Sequence, residues 1–220
     1  MISQLPRWVE TGAFLLAFLA GSVNAVGFLG FQHQAVSHLS GTTTILGAEL
    51  ASVNFLSVTH LLLILLSFVF GAALSGILIR HTALKLGRNY GVALLIEGAL
   101  LFAAMMMLLD DSTYGHYLAS AACGLQNAMA TTFSGAVIRT THLTGIFTDL
   151  GIMLGAKLRG VSFDKRRVIL YLLLIGGFVS GGIAGSLLFK CVDFFALALP
   201  ATMTIFIALS YWVFALQQAK

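Results

Sequence analysis

Charge is what this 220-residue chain has least of. Only 9% of its residues are charged, against about 25% in an ordinary soluble domain. No polar stretch is long enough to fold alone in water: the longest, Arg139 to Arg167, is interrupted by apolar residues. With two cysteines, Cys123 and Cys191, both in or beside apolar runs, a disulfide framework is excluded. The chain also lacks a phosphate-binding glycine loop, a metal-ligand run and a Gly-x-Ser-x-Gly elbow, which argues against enzyme chemistry and against a bound cofactor.

Apolar residues are abundant, at 59%, with mean hydropathy +0.97. They gather in six runs: Gly12–Phe31, Val58–Ile79, Gly91–Leu109, Tyr117–Val137, Val168–Phe189 and Ala198–Leu216. Each is close to the ~20 residues a helix needs to cross ~30 Å of hydrocarbon. One all-α integral membrane domain over residues 1–220 is therefore expected. The first run is read as a span, not a signal peptide, because its Gly-x-x-Asn-Ala core recurs at 124–128.

If six spans alternate sides, eleven of the twelve Lys and Arg fall on one side: Arg7, Arg80, Lys85, Arg88, Arg139, Lys157, Arg159, Lys165, Arg166, Arg167 and Lys220. Lys190 and the Asp110-Asp111 turn fall on the other. The positive-inside rule then places both termini in the cytoplasm. The net charge of +4 follows from this asymmetry and calls for lipid headgroups, not nucleic acid.

The chain also says one thing twice. Gly21-Ser22-Val23-Asn24-Ala25 and Ser37-His38-Leu39-Ser40-Gly41 return as Gly124-Leu125-Gln126-Asn127-Ala128 and Thr141-His142-Leu143-Thr144-Gly145, offset by 103 and 104 positions. Ser67, Gly71 and Ser75 return 110 positions later as Gly177, Gly181 and Gly185. Two units result, about 8–110 and 114–218. Three spans per unit, an odd number, make the second copy inverted relative to the first, an arrangement of many channels and transporters. The two small-residue stripes suit close helix contact, as a seam between the units, as ordinary bundle packing or as a homo-oligomer interface.

Between the first two spans of each unit lies His-Leu-(Ser/Thr)-Gly and a short apolar stretch. Ser40 and Thr144 read as N-caps of broken or re-entrant half-helices over about Thr42–Ala51 and Ile146–Ala156. Inversion would bring the two capped ends together near the bilayer midplane, where their dipoles favour an anion or a polar solute. Asn24, His38, Ser40, Gly41, Asn127, His142, Thr144 and Gly145 are the expected substrate-binding residues. The bland alternatives are helix-to-helix hydrogen bonds for the Asn pair and loop hydrogen bonds for the His pair. A bis-His metal site has no supporting ligand spacing, so no metal is expected. Glu97 in the third span and Asp149 on the second half-helix are candidates for proton or ion coupling; a structural ion pair, or for Asp149 a helix-dipole role, is the alternative for each.

At Asn24-Ala25-Val26-Gly27-Phe28, Ser37–Thr43, Gly124–Ala128 and Thr144-Gly145 the chain resembles the YoaK-like family of bacterial multi-pass membrane proteins, whose function is unknown. The family shows Asp at the position of Asn24 and Thr-Gly-Asn where Ser40-Gly41-Thr42 stands. The resemblance implies a bacterial inner-membrane protein. The expected function is a transporter or channel for a small polar or anionic solute. A non-transporting partner or regulatory protein is the alternative, with an intramembrane enzyme behind it.

Overall fold

The computed structural model describes residues 8–30, 36–79, 88–134, 138–162 and 164–218. The basic residues Arg7, Arg80, Lys85 and Lys220, the side chain of Arg88, and the run ends Phe31 and Val137 lie outside the described residues. The described residues form α1 (Trp8–Gly30), α2 (Leu39–Ala51), α3 (Phe55–Leu78), α4 (Arg88–Leu109), α5 (Tyr114–Ser134), α6 (Leu143–Leu158), α7 (Lys165–Val192) and α8 (Ala198–Gln218). A 3-10 turn, Asp193–Leu197, joins α7 to α8.

Four helical stretches are long and apolar enough to cross a membrane: Trp8–Gly30, Phe55–Leu78, Asn89–Leu109 and Lys165–Val213, the last holding α7 and α8. Their outer faces carry bulky side chains such as Leu66, Phe70 and Ile77 on α3 and Val179, Ile183 and Leu187 on α7. So much exposed apolar surface fits a bilayer, not water. The expected span at Tyr117–Val137 falls on α5, which is 21 residues long but does not stand among the four. Its Ala, Ser, Gly, Gln and Asn side chains are mostly buried against neighbours, so it needs little lipid-like character.

Helix pairing follows the small residues. A Cβ on Gly181 would lie 1.9 Å from the Phe18 carbonyl oxygen, and one on Gly21 would lie 2.1 Å from that of Phe178. The same contacts recur between α3 and α5. A Cβ on Gly71 would lie 1.9 Å from the Ala121 oxygen, and one on Gly124 would lie 2.1 Å from that of Phe68. Only glycine permits this approach. The two stripes thus do not form a seam with each other. The α7 stripe packs on α1 and the α3 stripe on α5, because each needs a second small surface and Gly21 and Gly124 supply it.

Along each pair the contacts rise together, at Phe14–Gly177, Phe18–Gly181 and Ser22–Gly185 and at His60–Tyr117, Ile64–Ser120 and Phe68–Gly124, so α1 runs parallel to α7, and α3 parallel to α5. By contrast α1 and α5 are antiparallel: Trp8 stacks near Phe133, with ring centroids 5.7 Å apart, and the Gln126 amide donates to the Leu16 carbonyl at 3.2 Å. The α4 and α8 helices pair through Gly91 against Trp212 and Gly98 against Thr204, also antiparallel.

The short helices are longer than expected, 13 residues for α2 and 16 for α6. Each runs into the long helix that follows it. The α2–α3 turn holds Val53 at φ 58°, and the α6–α7 turn holds Gly160 at φ 83°. The next helices are capped by side chains: Asn54 accepts from the Ser57 N–H, and Asp164 from those of Arg166 and Arg167. Since α3 and α7 point opposite ways, α2 and α6 enter the bundle from opposite ends.

Candidate functional site

The repeated motif has a local structural cause. Helix α2 starts at Leu39, not after Ser40, and α6 starts at Leu143, not after Thr144. The N-cap positions are His38 and His142, and neither side chain makes a capping hydrogen bond. Their carbonyls already accept the first helical N–H groups, from Thr42 at 3.2 Å and Ile146 at 3.4 Å. Ser40 and Thr144 are thus second-position residues. Their carbonyls accept the hydroxyls of Thr44 and Thr148, both at 2.9 Å. Each imidazole lies over the glycine three residues on. A Cβ at Gly41 would sit 2.7 Å from His38 Cδ2, and one at Gly145 2.6 Å from His142 Cδ2. The glycine is what lets the ring lie there.

The two motifs, 104 positions apart, meet at adjoining cavities. The smaller, about 440 Å³, is lined by Asn24, Ser37, His38, Gly41 and Thr144, with Phe178 at one wall. The larger, about 670 Å³, is lined by His38, Ser40, Asn127, Arg139, His142 and Thr144. Ser37, His38, Thr141 and Thr144 border both. The walls come from near the middle of the long helices, at Phe68 and Ala72 of α3 and Phe178 of α7. The first turns of α2 and α6 therefore both border these adjoining cavities, whose mainly apolar lining carries hydroxyl, amide and imidazole groups, and helix N-termini favour negative charge. Among the described residues lining either cavity, Arg139 is the sole formally charged one.

The two asparagines differ. Asn24 Oδ1 accepts the Ser37 hydroxyl at 2.8 Å and the Ser37 N–H at 3.4 Å, fixing the approach to α2. Ser120 Oγ supports the same loop, donating toward the carbonyls of Ile64 at 2.9 Å and Val36 at 3.4 Å. Asn127 Oδ1 has no hydrogen-bond partner in the structure, although the atom is buried and its residue lines the larger cavity. An unsatisfied buried acceptor costs about 1–3 kcal/mol.

A family model described as a protein of unknown function, DUF1275, matches residues 12–210. The chain belongs to the DUF1275 family. No curated protein and no solved structure matches it.

Of the ten expected site residues in this DUF1275 chain, seven line the cavities, and Gly145 underlies the His142 ring. Glu97 and Asp149 line neither. Glu97 is 3% exposed within α4, and its Oε2 has no hydrogen-bond partner. Asp149 accepts from the Tyr171 hydroxyl and from Arg167 Nη2 at 3.1 Å, clasping α6 to α7. Among the described residues no group of three or more His, Cys, Asp or Glu could hold a metal ion.

Sequence reasoning missed two features. In sequence Arg139 reads only as a loop charge, yet it sits three residues before His142 and reaches the larger cavity. At the opposite end from Asp149, His60 Nδ1 lies 2.9 Å from the Tyr117 hydroxyl, and its Nε2 lies 3.3 Å from His116 Nδ1. This cluster ties the N-terminal ends of α3 and α5. The available signal was that both segments begin spans at the same membrane face.

Proposed function

We propose that this DUF1275 chain is a membrane transporter or channel for a small polar or anionic solute. It is built as six spans in two inverted three-span repeats and acts without covalent chemistry, in a bacterial inner membrane with both termini cytoplasmic. One observation carries the reading: both His-Leu-(Ser/Thr)-Gly motifs, from opposite ends of the bundle, border the same two cavities. The antiparallel course of α1 and α5, equivalent helices of the two units, supports the inversion. Polar groups at this depth are costly unless they serve a pathway. Here the donors available to a solute are the imidazoles, the first-turn N–H groups and Arg139.

The test is flux in proteoliposomes, followed by light scattering with urea, glycerol, formate and nitrate as probes. At least one probe should move faster than through protein-free vesicles. His38→Ala and His142→Ala should each slow it several-fold while the protein elutes unchanged from a sizing column. If none of the four outruns empty vesicles, or both variants match the parent, the transport reading fails. The topology is tested separately by cysteine labelling in cells: Ser112→Cys should react from outside and Ser162→Cys should be protected.

A further inference from the structure

A second feature lies apart from these cavities, where α6 leans on α7. Leu150, Met153, Leu154 and Lys157 of α6 and Val168 of α7 line a groove of about 200 Å³. It runs along two turns of α6, about 10 Å at 1.5 Å per residue, from an apolar floor to a lysine. Beyond Lys157 stand Arg159 at the end of α6 and Lys165 at the start of α7, all exposed.

The first unit gives an internal comparison. At the positions matching Leu150, Met153 and Leu154 it has Leu46, Glu49 and Leu50, and α2 ends at Ala51, short of a counterpart to Lys157. The apolar pair is kept, but an acid replaces the methionine and the lysine has no helical equivalent. The charge belongs to one end of the molecule only.

We infer that the α6–α7 groove is a binding site for an anionic phospholipid. An acyl chain lies along Leu150, Met153 and Leu154, and the phosphate meets Lys157 with Arg159 and Lys165 around it. An apolar slot continuous with a basic mouth, at the height of a polar turn, matches a lipid better than a free anion. A free anion would use the basic mouth and leave the slot empty. Basic residues at a membrane surface attract anionic headgroups, each by about fivefold in affinity.

Purified full-length protein, in mild detergent, is mixed with phosphatidylglycerol or phosphatidylcholine of the same acyl chains. Retained lipid is counted by native mass spectrometry. Phosphatidylglycerol should be retained and phosphatidylcholine lost. Lys157→Gln should cut retention about fivefold, whereas Lys190→Gln, at the far end of α7, should not. Leu154→Trp should displace the lipid with the lysine intact, and glycerol phosphate should not compete. Equal retention of the two lipids, equal loss in the two lysine variants, or displacement by glycerol phosphate would overturn the assignment. If Leu154→Trp does not fold, the lysine pair decides alone.

Discussion

The two halves of the molecule share their packing and differ in their chemistry. A Cβ on Gly71 or Gly181 would meet a carbonyl oxygen at the same 1.9 Å, and one on Gly21 or Gly124 at the same 2.1 Å. The imidazoles of His38 and His142 lie on glycines in the same way. Yet Asn24 is satisfied and Asn127 is not, and the turn after α2 holds a valine where the turn after α6 holds a glycine. One end is laced by Arg166–Glu10 and Arg167–Asp149, the other by His60, His116 and Tyr117. Backbone approach tolerates no drift, because a carbonyl cannot move aside for a side chain. Polar contacts can be rebuilt one residue at a time.

The largest effect tests the shared part. Gly181→Leu and Gly71→Leu should each cost about 3 kcal/mol or more, seen as loss of monodisperse protein. Gly176, with nothing within 4 Å of its Cβ position, should accept Ala with normal yield. If Gly181→Leu melts like the parent, the matched seams are not what holds the halves.

The next swaps one half's turn for the other's. Val53→Gly should raise stability and Gly160→Val lower it, each by about 1–2 kcal/mol, since a β-branched residue is strained at positive φ. Opposite shifts in melting temperature are expected; shifts of the same sign would refute the strain account.

A subtler pair separates the asparagines. Asn24→Ala should lower stability by about 1 kcal/mol through the lost Ser37 hydrogen bonds. Asn127→Ala should leave melting unchanged or raise it, and alter solute flux instead. Reversal of the two would mean that Asn127 is the structural member.

The smallest effect is expected at the clasp. Both side chains of the Arg167–Asp149 pair are around 40% exposed, so Asp149→Asn should cost no more than about 1 kcal/mol. It should leave flux intact, because the pair lies outside the cavities. A proton-coupled loss of flux would return Asp149 to the site.

Much of this was legible in the chain, for physical reasons. Among the described residues all six apolar runs fall on α-helices, because hydrocarbon demands continuous helical hydrogen bonding. The doubled Asn…His-Leu-(Ser/Thr)-Gly frame located the residues that meet, because repeated units fold alike. The partner of each glycine stripe was not legible, since a small-residue stripe specifies closeness and not with whom. Helix starts were misplaced because a hydroxyl in the first turn looks the same in sequence whether it caps or follows the cap. His60 and His116, 56 positions apart, carried no pattern, and Asp149 gave no hint of Tyr171 and Arg167.

The crosswise pairing of helices has a consequence for biosynthesis. Gly71 and Ala121 are 50 residues apart, but Gly21 and Phe178 are separated by 157. At about 5–20 residues per second, the α3–α5 pair is complete while α7 is still unmade. The first helix to leave the ribosome then waits roughly ten to thirty seconds for its partner. During that interval its glycine face is open to lipid. A nascent chain stopped before α7 would present α1 unclasped, so the last third of the message decides whether the first helix is kept.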